Sequence, residues 1–229
     1  MKYIIVDKNM PDYMVDKLKV FPYEIVKTIE NKNMPKGINT HPDMLIYGLE
    51  NGDIIVDRDN YKYYKDIFTD RKVIKTDKSL GYLYKDHVGL NGFYYKGYFI
   101  GNLKFIDKNI LNFYQENKVS LIDVRQAYTK CNTLVTDNFL VSSDMSIYKA
   151  CKDIFELIKI NHKEIKLSGF NYGFIGGCSG YIDNKLILTG DISLHSSGQE
   201  IIDACRRYNI EIINLSENML EDFGSILFV

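Results

Sequence analysis

The sequence predicts an α/β protein: a five-fold pseudo-symmetric propeller of five ββαβ-like units of about 45 residues, helices outside and short strands lining an axis. Three observations predict it. A strand–helix–strand–loop–strand pattern recurs along the 229 residues. Just before each pattern's last strand stands a polar or thiol residue, and His41, His87, Cys131, Cys178 and Asp222 are spaced by 46, 44, 47 and 44 positions. Units this small cannot bury their apolar faces alone, and both chain ends read as apolar strands without polar caps. Closure of the last unit onto the first is therefore expected over an open stack.

The chain reads as a single domain, with units near residues 1–49, 50–96, 97–137, 138–183 and 184–229. The first has strand Tyr3–Val6, a helix from Pro11 to Lys19, and strands Tyr23–Ile29 and Met44–Leu49. Pro11 suits the first helical position, where a missing N–H costs nothing. The second has Asp53–Val56, a helix over Asn60–Phe68, then Val73–Thr76 and Val88–Tyr95. The third has Tyr98–Gly101, a helix from Asp107 to Asn117, then Val119–Val124 and Thr133–Thr136, with Asp107 as a good N-cap. The fourth has Phe139–Ser142, a helix from Met145 to Lys159, then Glu164–Leu167 and Gly173–Ile182. The fifth has Lys185–Thr189, a helix from Gly198 to Tyr208, then Ile210–Leu215 and Ser225–Val229. Ser197-Gly198-Gln199-Glu200 has capping-box spacing at the start of that last helix. The strands are rich in β-branched and aromatic residues, and the helices space their apolar positions by three and four.

Composition excludes several functions. A net charge of −1 lacks the broad basic field of a nucleic-acid binder, and only five of the 29 basic residues are arginines. No apolar run reaches the roughly 18 residues of a membrane span, and Met1–Asp7 lacks a signal peptide's apolar core. Four cysteines (Cys131, Cys151, Cys178, Cys205) fit no Cys-x-x-Cys zinc pattern and read as free thiols of a reducing cytoplasm. No cofactor or metal is expected. A zinc site from His41, His87, Cys131 and Cys178 would require all four to meet at the axis.

The residues in the five slots are His41-Pro42-Asp43, Asp86-His87, Cys131-Asn132, Gly176-Gly177-Cys178 and Glu221-Asp222. Each has a bland reading beside a functional one. His-Pro-Asp is good turn chemistry. Cys131 can be a small buried hydrophobe, as can Cys178, whose glycine neighbours also suit close backbone approach at an axis. Asp222 can serve only the Gly224 turn, and Asp86-His87 only the surface. Cys151 and Cys205 lie on apolar helix faces and read as core. Asp191 and His195 read as a loop leading into the last helix. Gly176-Gly177-x-x-Gly180 opens no helical pattern, so it does not read as a phosphate cradle.

This arrangement resembles the pentein fold, shared by guanidine-modifying enzymes and a non-catalytic ribosomal anti-association factor. The stretches Gly173-Phe174-Ile175-Gly176-Gly177-Cys178-Ser179-Gly180 and Asp222-Phe223-Gly224-Ser225-Ile226 carry the likeness, closest to an uncharacterised bacterial branch. In arginine deiminases and their relatives a His-x-Asp pair precedes one strand, the nucleophilic cysteine comes two units later, and an acidic residue one unit earlier. His41-Pro42-Asp43, Cys131 and Glu221-Asp222 keep that order, rotated along the chain. The usual Glu-Gly-Gly-Asp segment, early Arg-Asp pair and C-terminal cysteine are missing.

What the resemblance implies is a thiol-dependent hydrolase or amidinotransferase acting on a small cationic guanidino or amidino compound. Cys131 would be the nucleophile, His41 the acid/base, and Asp43 and Asp222 the carboxylates that hold the cation. Glu221, Asp86, His87, Cys178 and Asn132 would complete the binding site, with Cys178 as the rival nucleophile. The alternative is a non-catalytic ring that binds a macromolecule through one face, as the ribosomal factor does.

Overall fold

A computed structural model describes residues 2–229. The chain starts with β1 (Tyr3–Val6), α1 (Asp12–Leu18) and β2 (Glu24–Lys27), and continues through the turn α2 (Pro42–Leu45) to β3 (Ile46–Gly48) and β4 (Ile54–Val56). Next come α3 (Tyr61–Ile67), β5 (Val73–Lys75), the turn α4 (Tyr84–His87), β6 (Phe93–Tyr95), β7 (Tyr98–Gly101), α5 (Lys108–Glu116) and β8 (Ser120–Asp123). The second half carries β9 (Thr133–Val135), β10 (Leu140–Ser142), α6 (Met145–Cys151), β11 (Leu157–Lys159), β12 (Ser179–Ile182) and β13 (Lys185–Leu188). It ends with α7 (Gly198–Arg207), β14 (Glu211–Asn214) and β15 (Leu227–Phe228).

These strands form five three-stranded sheets of one design. The middle strand of each (β1, β4, β7, β10, β13) pairs antiparallel with one neighbour and parallel with the other. Parallel neighbours cannot be joined by a tight turn, and here a helix makes every such crossover, α1, α3, α5, α6 and α7 in turn. The middle strands are buried except at the first residue of β7 and of β13, as in Ile54-Ile55-Val56 and Leu186-Ile187-Leu188, whereas the outer strand β8 is exposed at Ser120 and Asp123. Burial on both faces explains why the middle strands read as continuous apolar runs.

Four of the five antiparallel pairs are hairpins. Lys96-Gly97 and Asp183-Asn184 turn two of them with positive φ, the geometry that matches the strands' twist. The fifth pair is the two ends of the chain: Ile4 lies opposite Phe228 and Ile5 opposite Leu227. Val229 N–H donates to Tyr3 C=O at 3.1 Å, and Tyr3 N–H to Val229 C=O at 2.8 Å. The ring is closed by hydrogen bonds where the other units are joined by peptide.

Several elements differ from the sequence expectation. The last strand expected of each unit is the first strand of the next sheet, so unit divisions at 49, 96, 137 and 183 fall in or beside the hairpins. The helix expected to reach Lys159 stops at Cys151, and Leu157–Lys159 instead pairs with β10. Ile154, Phe155, Leu157 and Ile158 fit either period, and the open parallel edge of β10 decides between them. Glu164–Leu167 then contributes only a single bridge, Lys166 with Glu221. Asp107 caps α5 by accepting from Asn109 N–H, but Ser197 does not cap α7; its hydroxyl accepts from Asn161 N–H. The strands expected over Met44–Leu49, Val88–Tyr95 and Gly173–Ile182 begin later, because a helical turn or bend precedes each. Those turns build the site. No helix among the described residues is long and apolar enough to cross a membrane.

Candidate active site

Cys131 sits in the turn before β9, where Asn132 N–H donates to Tyr128 C=O and Thr133 N–H to Lys130 C=O. The turn is backed by Gly176 and Gly177. A Cβ at 176 would overlap the carbonyl oxygen of Lys130, and one at 177 the Asp222 carboxylate, so only glycine fits either place. Gly177 N–H donates to Cys131 C=O at 3.0 Å. Gly176-Gly177 is thus the close backbone approach, and not a phosphate cradle.

His41 precedes α2 without capping it through its side chain, and Pro42 occupies the first turn, with Asp43 buried behind it. Asp43 N–H donates to Gly224 C=O at 3.0 Å. Gly224 has φ +69, and a Cβ there would overlap His41. The loop after β14 is thereby pinned against the His-Pro-Asp turn. Asp222 fixes this loop: its Oδ1 accepts from Gly224 N–H at 2.9 Å and its Oδ2 from Phe174 N–H at 2.8 Å.

The four residues expected to carry the chemistry meet across 181 positions of chain. Cys131 Sγ is 3.0 Å from Asp43 Oδ2. One ring nitrogen of His41, one Asp43 oxygen and the Cys131 sulfur all lie within 4.8 Å of each other. His41 Nδ1 is 3.8 Å from Asp222 Oδ1. All four side chains are buried, at 2–3% exposure. Asp43 Oδ1 is buried with no hydrogen-bond partner. A cavity of about 220 Å³ opens beside them, bordered by His41, Cys131 and Asp222 and by Tyr128, Tyr172 and Phe174. Asp43 is not part of that wall; it borders a separate cavity of about 240 Å³ together with Glu50 and Lys130.

Electrostatics set the resting state. Burial pushes the Cys131 thiol pKa well up, and the carboxylates of Asp43 and Asp222 push it further, so the thiol form is favoured. Asn91 works the other way, its amide donating to Sγ at 3.2 Å. Burial also raises the Asp222 pKa, with His41 acting against that rise.

Of the residues expected to bind substrate, His87 reaches the cavity only through a neighbour. Its Nδ1 faces Gly81 C=O at 3.0 Å and must carry the proton, so Nε2 accepts from Tyr128 O–H at 2.7 Å. Burial lowers the His87 pKa, in keeping with that neutral tautomer. Tyr128 forms the cavity wall, and His87 holds Tyr128. The other four lie off the cavity. Asp86 is exposed and borders a separate hollow near Asp107. Cys178 is fully buried with its thiol on Phe174 C=O at 3.2 Å, and burial raises its pKa well up. Asn132 accepts from Ser143 O–H at 3.2 Å, and Glu221 pairs with Lys166 at 3.2 Å. Cys151 and Cys205 are core, and Asp191 accepts from Ser193 N–H beside the loop into α7.

Sequence reasoning passed over Asn91, Ser225 and Lys130. Asn91 is fully buried; its Oδ1 accepts from Cys131 N–H at 3.1 Å, while its amide reaches Asp43 C=O at 3.2 Å. Ser225 Oγ lies 2.7 Å from Asp43 Oδ2 and 2.9 Å from Gly176 C=O, and it accepts from Lys130 Nζ at 3.1 Å. The signal for Asn91 was a polar residue inside an apolar run expected to be strand.

Cys131, His41 and Asp43 bring three donor atoms within 4.8 Å of one another, one short of a closed four-ligand zinc site, and the sulfur and carboxylate among them are already hydrogen-bonded to each other. The four-residue set of His41, His87, Cys131 and Cys178 is not formed, since His87 and Cys178 are committed elsewhere.

Comparison with solved structures identifies the architecture. The chain superposes on Pseudomonas aeruginosa dimethylarginine dimethylaminohydrolase, a cysteine-to-serine mutant complexed with citrulline, with a TM-score of 0.60 at 10% identity, covering 97% of this chain and 92% of that one. It is similar to SxtG, an amidinotransferase of the saxitoxin pathway from Microseira wollei (TM-score 0.57, 10% identity, 93% and 88% covered). It is also similar to the N-terminal domain of ArgZ, a cyanobacterial arginine dihydrolase, covalently bound to a reaction intermediate (TM-score 0.55, 8% identity, 93% and 90% covered). At such identities the likeness is one of fold, and the fold is the pentein. No curated protein matches the sequence. The model of a family of unknown function, DUF6873, matches residues 5–227, nearly the whole of what the structure describes, and the chain belongs to that family.

Proposed function

We propose that the protein is a thiol-dependent enzyme acting on the guanidino or amidino group of a small cationic compound. The observation that carries this reading is the convergence of Cys131 Sγ, the Asp43 carboxylate and a His41 ring nitrogen within 4.8 Å, beside a cavity that a small ligand fits. The likeness of fold to a dimethylarginine dimethylaminohydrolase, an amidinotransferase and an arginine dihydrolase supports it.

The chemistry follows from charge. Burial first, and two neighbouring carboxylates after it, favour Cys131 as a thiol. A guanidinium ion brings the missing positive charge. Asp222 borders the cavity with its oxygens already bound by backbone N–H groups, so it offers field and remaining lone pairs. Asp43 does not border the cavity, so it acts on the cation and the sulfur through its charge and not by direct contact with the substrate. With the cation bound, the thiolate becomes accessible and the thiol proton passes to His41. The sulfur attacks the central guanidino carbon, and the C–N bond to the leaving amine breaks as His41 returns the proton to that nitrogen. The resulting S-amidino adduct on Cys131 is released by water, giving a urea-type product, or by a second amine, giving amidino transfer. Tyr128, Tyr172 and Phe174 supply aromatic walls for the substrate's remaining part, with ring faces that favour a cation.

A ring that only docks onto a macromolecule has no need to bury a thiol, an imidazole and two carboxylates together, each at a desolvation cost. The test is to incubate the protein with a panel of guanidino compounds, quench in acid, and weigh the Cys131 peptide. An amidino-sized mass increase on Cys131, absent in Cys131→Ser and diminished in His41→Ala, is the expected result. A panel that gives neither adduct nor ureido product in the wild type overturns the reading.

A further inference from the structure

The inner strands of the ring have two ends. The cavity with Cys131 lies where those strands begin. Beside their hairpin turns lies a second cavity of about 390 Å³, bordered by Lys96, Lys130, Asp137, Ser179 and Phe228. Lys130 adjoins Cys131 in sequence, yet it faces this second cavity and not the first.

A continuous set of contacts joins the two. Lys130 Nζ donates to Ser225 Oγ at 3.1 Å, Ser225 Oγ is 2.7 Å from Asp43 Oδ2, and that oxygen is 3.0 Å from Cys131 Sγ. Laid end to end, the first two place the ammonium no more than 5.8 Å from the carboxylate, and all three no more than 8.8 Å from the sulfur. No carboxylate oxygen pairs with Lys130 directly among the described residues. Ser225 is held at φ +70, a conformation that a serine adopts only under constraint.

We infer that Lys130 is a positioning residue for the chemistry at Cys131: from the far end of the axis, through Ser225 and Asp43, its positive charge offsets the carboxylates that oppose the thiolate. The inference rests on the reading of Cys131 as the nucleophile. The charged and titratable groups around the sulfur are Asp43, Asp222, His41 and Tyr128; around Lys130 they are Asp43, Asp222 and Cys131, with Lys96 and Asp137 across the second cavity and Glu50 and Tyr47 across a third that Lys130 shares with Asp43. Lys96 is turned onto the Tyr95 ring at 5.1 Å. Burial pulls the Lys130 pKa down while Asp43, Cys131 and Asp222 pull it up, so the ammonium and the site feel one another.

The test is the pH dependence of Cys131 alkylation by iodoacetamide, read at the peptide level, in wild type, Lys130→Met, Lys130→Arg and Ser225→Ala. Removing the positive charge makes every proton of the site harder to lose, so Lys130→Met should move the alkylation midpoint up by about one pH unit. Lys130→Arg keeps the charge and should return the wild-type profile. Ser225→Ala frees the lysine from the axis and should shift the midpoint the same way by less; it decides the matter if Lys130→Met does not fold. Profiles of Lys130→Met and Ser225→Ala that superimpose on the wild type, or that are slowed equally at every pH, overturn the inference. A shifted profile in a protein that forms no guanidino adduct sinks the proposed reaction and leaves this coupling standing.

Discussion

Asp43→Asn isolates the carboxylate that most directly opposes the thiolate. The side chain keeps its shape and loses its charge. Asp43 Oδ2 is 3.0 Å from Cys131 Sγ, and both groups are buried. At an effective dielectric of about 20, two unit charges at that distance repel by about 5.5 kcal/mol, equivalent to roughly four pH units. Part of that is recovered by the polar groups already present, because the Asn91 amide donates to the same sulfur at 3.2 Å. The midpoint for alkylation of Cys131 by the neutral reagent iodoacetamide should therefore fall by at least about two pH units in Asp43→Asn. Cys151 and Cys205 provide internal standards, since burial alone pushes their thiols to about 11 and neither touches Asp43. The same variant should lose its preference for a cationic chloroacetamidine over neutral chloroacetamide, a ratio that cancels thiol ionisation because both reagents need the thiolate. A midpoint that stays put or rises in Asp43→Asn refutes the electrostatic account of the site.

Three further outcomes follow from the geometry. Gly224→Ala forces a side chain into φ +69 and against His41, so it should cost at least about 2 kcal/mol in urea unfolding and disperse the His41–Asp43 turn. Cys178→Ala should cost about 1 kcal/mol as a small core cavity yet leave Cys131 labelling unchanged; loss of labelling would make Cys178 the reactive thiol. His87 has its folded pKa lowered by burial, so the unfolded chain binds its proton more readily. Its stabilising contribution is complete above the unfolded value near pH 6.5 and is lost as the pH falls towards the folded value. Wild type should accordingly lose stability relative to His87→Asn below about pH 6.5, measured by urea midpoints; parallel curves would contradict the assigned Tyr128–His87 hydrogen bond.

Much of the ring was legible because a repeat multiplies weak signals. One buried strand such as Ile54-Ile55-Val56 is ambiguous alone, but five of them at a steady spacing, each followed by an amphipathic helix, are not. The spacing also picked out His41, Cys131 and Asp222, because a slot fixed by strand geometry recurs even when its side chain changes. It could not say which slots converge. His87 and Cys178 read as equivalent slots, yet His87 closes the helical turn α4 well before β6 while Cys178 directly precedes β12, so His87 goes to Tyr128 and Cys178 into the core. Helix ends suffered similarly: nothing local to Asp153–Lys159 announces that β10 lacks a parallel partner. Ser225 and Lys130 were invisible for a further reason. A serine after glycine and a lysine before cysteine carry no pattern, and their meaning exists only once β15 has crossed the whole ring to lie against β1.

That crossing bears on why the order of site residues can be rotated along the chain. The sheet formed by β15, β1 and β2 is the one unit whose inner strand is joined by hydrogen bonds and not by a hairpin. In a closed ring any hairpin can in principle be cut and the old ends joined without changing which side chains face the axis. The site then depends on cyclic order alone: Asp222 one unit before His41-Pro42-Asp43, and Cys131 two units after. The same cut has a cost for this chain, because Asp43 is held by Gly224 C=O and Ser225 Oγ, both contributed by the segment that leads into β15. Closing the ring and assembling the site are one event here: if β15 leaves β1, Asp43 loses both partners and the sulfur loses the carboxylate's fixed position. Removing Leu227–Val229 should therefore abolish selective alkylation of Cys131 at the same denaturant concentration at which the β1 amides lose their protection from exchange, and a truncated chain that kept the wild-type profile at Cys131 would show that the site stands without the closure.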